Sequence, residues 1–144
     1  MDIREYESND LEQFISLMAD WGHPSLLEDM KVRMERVDSN PNCYTFVAEK
    51  EKVLVGMIGI TSHTTYTSNK IKIQITALVT KKEYRSQGIA KSLVKHVEEW
   101  AIRRGANFIY LFSGISEERV QAHELYKLLG YEITGYRFIK NLER

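Results

Sequence analysis

Residues 73–90 read Ile73-Gln-Ile-Thr-Ala-Leu-Val-Thr80-Lys-Lys-Glu-Tyr-Arg85-Ser-Gln-Gly-Ile-Ala90. An apolar, β-branched run leads into a basic turn, and the turn opens a helix at Gly88. The helix carries Ile89, Leu93, Val94, Val97, Trp100 and Ala101, a spacing that lines one face with apolar side chains. Gly105 stands just past the last periodic residue and stops it. A second apolar run follows at 107–112. Strand, helix and strand together predict a parallel pair joined by a right-handed crossover.

The junction at Gly88 is where chemistry is expected. Backbone N–H groups in the first turn of a helix have no partner inside it, and the macrodipole adds positive potential there. Gly88 keeps a Cβ out of a ligand's way. Lys81, Lys82, Arg85 and Lys91 supply cations, and the first acid in the helix is Glu98. A first turn without acids suits an external anion, most simply a phosphate or pyrophosphate. On spacing alone the stretch also reads as a plain strand-turn-helix with Gly88 at the N-cap.

Composition bounds the rest. The chain has 144 residues, 43% of them apolar, enough for one domain with its own core. Lys plus Arg number 20 and Asp plus Glu 20, so the formal net charge is zero. Nothing global steers the protein to nucleic acid or to an acidic membrane surface. The single cysteine, Cys43, excludes an internal disulfide and a Cys-based zinc site, and the four histidines lack metal-ligand spacing. The run at 53–60 is too short to span a bilayer, and residues 1–5 do not read as a signal peptide. A cytoplasmic protein is the expectation.

Taken in order, residues 2–6 alternate as a strand. Ser8, Asn9 or Asp10 can N-cap a helix to about residue 20. Pro24 and Ser25 start a second helix to about 37. Strands are expected at 43–48, 53–65 and 71–80, forming an antiparallel meander, with Gly56 and Gly59 allowing a bulge or a close neighbour. After the central helix and the strand at 107–112, Ser116 or a neighbour caps a helix through 129, closed by Gly130. Residues 131–139 are expected as the last strand. The class is α/β: a mixed sheet of six to seven mostly antiparallel strands, with about four helices on both faces.

Two segments carry a resemblance. Arg85-Ser-Gln-Gly-Ile-Ala90 resembles the Arg/Gln-x-x-Gly-x-Gly/Ala signature of the GNAT superfamily of acyl-CoA-dependent N-acyltransferases. Further on, Ala122-His-Glu-Leu-Tyr126-Lys-Leu-Leu-Gly-Tyr131 is similar to that family's Ala-x-x-Phe/Leu-Tyr-x-x-x-Gly-Phe/Tyr segment. The motifs cover about the C-terminal half of the chain. The resemblance implies a central pair of parallel strands, here 71–80 and 107–112, that splay apart to admit the pantetheine arm of acetyl-CoA. It implies that the backbone of Leu78, Val79 and Thr80 bonds that arm, and that Arg85, Ser86, Gln87, Gly88, Ile89 and Ala90 hold the pyrophosphate.

The remaining roles follow from the same resemblance. Tyr126 matches a tyrosine near the cofactor sulfur that protonates the leaving thiolate; by spacing alone it is core beside Leu125 and Leu129. Arg119 stands where the family often has Asn, and reaches cofactor phosphate or an anionic substrate, or is a surface residue. Many members carry a Glu near the position of Thr76, and no acid occurs between Lys70 and Lys82 here. Candidates for the general base are therefore His123, one turn from Tyr126, then His63, Glu28 and Glu35, or a water chain. Trp21, His23 and Tyr66 would border the acceptor pocket or pack as ordinary loop residues. Cys43 reads as an inert thiol in a strand. The implied activity is transfer of acetyl from acetyl-CoA to a primary amine, first a small molecule, second a protein or peptide amino group. A non-catalytic acyl-CoA sensor is the rival. No metal is called for, and a homodimer is compatible.

Overall fold

The computed structural model describes residues 1–115 and 119–143. Five strands form one sheet: β1 (Asp2–Glu5), β2 (Cys43–Lys50), β3 (Val53–His63), β4 (Lys72–Thr80) and β5 (Phe108–Leu111), in spatial order β1-β2-β3-β4-β5. The first four are antiparallel neighbours and β5 joins β4 in parallel. Four α-helices accompany them: α1 (Leu11–Asp20), α2 (Leu27–Ser39), α3 (Ile89–Arg103) and α4 (Val120–Leu128). The chain divides into two compact units, Met1–Leu111 and Phe112–Arg144.

The first unit has two layers of helix on its sheet. Phe14, Leu17 and Met18 of α1 and Met30 and Met34 of α2 pack with Val47, Leu54, Met57 and Val79 from the strands. The opposite pleat of β2 presents Phe46 and Tyr44 to α3, whose Trp100 ring meets theirs edge-on at 5.9 and 4.7 Å. Leu93, Val94 and Val97 are fully buried on the apolar stripe of α3. Gly56 lies directly against α3. A Cβ there would lie 2.9 Å from Ile89 Cγ2 and 3.0 Å from the Val79 carbonyl oxygen, so only glycine fits without displacing a neighbour.

Several boundaries differ from expectation. Asp10 holds the N-cap position of α1, within the expected set, but its side chain makes no cap bond. Its carboxylate turns back to accept the Glu7 N–H at 2.8 Å and a bidentate pair from Arg4 at 2.8 and 2.9 Å. α2 starts at Leu27, because the Ser25 hydroxyl accepts from Arg33 Nη1 at 2.6 Å and does not cap the helix. β3 ends at His63. The expected cap at Ser116 lies outside the described residues.

The largest correction concerns residues 131–139, which form no strand; among the described residues there are five strands where six to seven were expected. Ile133, Tyr136, Phe138 and Ile139 give the segment the aromatic and β-branched content of a strand, yet all four are exposed. Composition states which residues favour a strand. It does not supply the neighbouring edge that makes it a strand.

Candidate active site

β4 carries the site because its two edges have different fates. On one side it pairs with β3 along its length. On the other, pairing with β5 runs from Lys72↔Phe108 to Ile75↔Leu111 and stops. From Thr76 to Thr80 that edge has no strand beside it among the described residues. The Lys81 N–H donates to the Val55 carbonyl at 2.8 Å, which fixes the phase of the antiparallel ladder. Val79 therefore spends its N–H and C=O on β3, while those of Leu78 and Thr80 point to the open edge. Leu78, Val79 and Thr80 thus divide by role, a division their side chains do not announce.

At Thr76 the ladder slips. Gly59 pairs with Ala77 and Ile60 with Ile75, so Thr76 is the extra residue of a bulge. Past Thr80 the chain makes a one-turn 3-10 helix at Lys82–Tyr84 and reaches Gly88 in the left-handed region, φ 81° and ψ 12°. Ser86 is also left-handed, at φ 65°. A Cβ on Gly88 would meet nothing within 4 Å. Its glycine is needed for backbone conformation, and the space beside it is open.

Ser92 makes the first bonds of α3: its N–H and its hydroxyl both donate to the Gly88 carbonyl at 3.0 Å. The N–H groups of Ile89, Ala90 and Lys91 precede that bond and have no acceptor within the helix. No acid occupies the first turn. The turn is braced against α1. The Asp20 carboxylate accepts the Lys82 N–H at 2.9 Å, and Arg85 Nη2 donates to the Asp20 carbonyl at 3.1 Å. Lys81 Nζ donates to the Ser16 hydroxyl at 3.3 Å. Asp20 was missed by sequence reasoning, since nothing in the pattern of α1 marks its last residue as a partner of a turn far along the chain.

The second unit holds Arg119, His123 and Tyr126. Arg119 is the N-cap residue of α4. Tyr126 is partly buried, and burial pushes its phenol above its ordinary value while the nearby Arg119 opposes that shift. Its ring lies 6.2 Å from that of Tyr131. His123 Nε2 is 2.8 Å from the Gly114 carbonyl and 3.1 Å from the Ser113 hydroxyl. A carbonyl only accepts, so Nε2 carries the proton and ties α4 to that loop.

Of the other candidates, Glu28 and Glu35 are exposed on α2. Trp21 and His23 meet edge-on at 4.9 Å, and Tyr66 is fully exposed. Cys43 is half-buried, its Sγ 3.7 Å from the Thr61 hydroxyl. His63 Nε2 bonds Gln74 Oε1 at 2.9 Å. Among the described residues no group of three or more His, Cys, Asp or Glu is disposed to hold a metal, and no helix is long and apolar enough to cross a membrane.

An open strand edge thus runs directly into an acid-free helix N-terminus. Residues 6–131 match the profile of the acetyltransferase (GNAT) family, and the chain belongs to that family. It is 34% identical to human N-acetyltransferase 8 over 97 residues, which cover 67% of this chain and 41% of that protein. The chain thus spans well under two thirds of the curated relatives it matches. Among solved structures, a GNAT family acetyltransferase of Staphylococcus aureus superposes with a TM-score of 0.85 at 26% identity, covering 98% of each chain. A transcriptional regulator from Bacillus halodurans superposes with a TM-score of 0.88 at 25% identity, covering 98% of this chain and 99% of that one.

Proposed function

We propose that the chain acts as one N-acetyltransferase domain, moving the acetyl group of acetyl-CoA to a primary amine of a small molecule in the cytoplasm. The observation that carries this is the open edge of β4 from Thr76 to Thr80, followed directly by the Gly88 turn. Leu78 and Thr80 offer main-chain donors and acceptors to an amide-bearing arm. Ser86, Gln87, Gly88, Ile89 and Ala90 offer backbone N–H groups to a pyrophosphate, with Arg85 bracing the turn. Arg119 adds a cation for phosphate or for an anionic acceptor. No metal enters the chemistry.

Acetyl-CoA supplies the acyl group as a thioester. A neutral amine nitrogen bonds to the thioester carbon as the C–S bond breaks. The Leu78 N–H is the donor for the carbonyl oxygen. Tyr126 gives its proton to the departing sulfur, and the proton shed by the acylated nitrogen restores it. This role of Tyr126 rests on the resemblance of residues 122–131 and on a phenol that holds its proton at neutrality. His123, its Nε2 engaged, is one of two histidine candidates for the proton acceptor, the other being His63.

A second reading has one observation in its favour. The likeness to a protein described as a transcriptional regulator suits a domain that binds acyl-CoA without turnover. One experiment separates the two: thermal shift with acetyl-CoA, followed by CoA-thiol release with amines, amino acids and peptides. Binding with turnover supports the transferase, and peptide acceptors outpacing small amines would move the acceptor class to proteins. Binding with no turnover on any acceptor supports the regulator.

A further inference from the structure

The face of the sheet that packs on α1 and α2 does not stay apolar to its end. Met57 belongs to that core, and along β3 every second residue shares its face, which includes Thr61 and His63. Thr61 pairs with Gln74, and Gln74 with Tyr110, so these side chains line the same face. A Cβ at Gly59 would lie 3.4 Å from Thr76 Oγ1, which brings Thr76 to that face too. Five polar side chains from three strands thus gather beyond the helices, and none of them is buried.

One of them has a fixed hydrogen-bond role. Gln74 Oε1 can only accept, so His63 donates through Nε2–H, and in the neutral imidazole Nδ1 is the acceptor. Facing His63 are Lys72, directly opposite on β4, and Tyr110 on β5, whose ring centroid is 6.1 Å away. Beyond Thr61 lies the Cys43 thiol on β2. The cluster adjoins the open edge of β4. Gln74 lies about 7 Å along the strand from Thr76, where β5 has already ceased to pair.

We propose that this polar end of the sheet receives the acceptor amine, and that His63 Nδ1 takes the proton an ammonium group must lose before it attacks. The inference rests on the transferase reading above. The ammonium N–H bond breaks, its electron pair stays on nitrogen for attack, and the proton passes from His63 to solvent. Lys72 adds selectivity. A fixed cation across from the proton acceptor disfavours a second positive charge beside the reacting amine, so the acceptor is an amine with a neutral or carboxylate-bearing neighbour, not a polycation.

The test compares wild type, His63→Gln and Lys72→Glu with acetyl-CoA and a panel of glycine, ethanolamine and spermidine. His63→Gln should lower kcat about 100-fold at neutral pH, leave the acetyl-CoA thermal shift intact, and recover toward wild type as pH rises and the amine frees itself. Lys72→Glu should move preference from glycine toward spermidine. A His63→Gln rate within about twofold of wild type, or a deficit constant with pH, overturns the His63 assignment while wild-type turnover still upholds the transferase. A Lys72→Glu preference that stays with glycine overturns the acceptor class. Wild type that binds acetyl-CoA and acetylates no amine overturns the transferase reading and this inference with it.

Discussion

Asp20, the last residue of α1, reaches Lys82 at the start of the Gly88 turn: its carboxylate accepts the Lys82 N–H at 2.9 Å. The turn proposed to bind pyrophosphate is therefore held by the first helix, which contributes nothing to the phosphate motif itself. Asp20→Ala should free the turn without touching the sheet. A loss of about 0.5–1.5 kcal/mol in stability is expected, together with weaker acetyl-CoA binding. Isothermal titration and denaturant melts check both. Unchanged affinity would make the contact merely structural.

Gly88→Asp sets a carboxylate at the acid-free N-terminus of α3 and strains a left-handed residue at φ 81°. Acetyl-CoA should then no longer raise the melting temperature, although the variant still folds. Gly88→Ala keeps the strain, roughly 1–2 kcal/mol, and adds no charge, so it should lose stability yet retain part of the shift. A full shift in folded Gly88→Asp would falsify the pyrophosphate site.

Tyr126→Phe removes one proton and keeps the ring. A fall in kcat of about 10²–10⁴ is expected, with acetyl-CoA affinity nearly constant. Burial raises the Tyr126 phenol above its ordinary value. An acid of that kind stays protonated until pH climbs past about 10, so any basic limb due to it lies above that point. A limb near neutrality that survives in Tyr126→Phe belongs to another group. His123→Gln should loosen the 113–114 loop, and an acidic limb that vanishes with it would assign the base to His123 instead of His63.

The Arg4–Asp10 pair makes stability depend on acid. Hydrogen bonding from Arg4 and from the Glu7 N–H holds the Asp10 carboxyl below its ordinary value against the cost of burial. Its contribution is fully present above the unfolded carboxyl value, about 3.9, and is lost as pH falls through the lower folded value. Asp10→Asn should cost about 1.5–3 kcal/mol at pH 7 and flatten the acid side of the stability curve. Equal acid sensitivity in the variant would show that other carboxylates govern it.

Gly56→Ala tests the packing of α3. The new Cβ meets Ile89 Cγ2, which can rotate, and the Val79 carbonyl, which cannot move without β4. About 1–3 kcal/mol of destabilisation is expected. Because Val79 neighbours the open edge, acetyl-CoA binding should weaken as well, measurable by thermal shift.

The sequence by itself determined the local units. Periodicity placed Leu93, Val94, Val97 and Trp100 on one buried face of α3, and a glycine before an acid-free first turn marked the candidate anion site. Those signals lie within a few residues of one another, where backbone geometry dictates them. What only tertiary structure decided depends on partners distant in the chain. Asp20 finds Lys82 because α1 packs over the sheet, and Leu78 differs from Val79 because β3 takes one and leaves the other to an open edge. His63 meets Gln74 through strand register. Residues 131–139 have the composition of a strand but gain no ladder. Composition gives a segment a propensity, whereas hydrogen-bond partners and register arise only when other strands stand beside it.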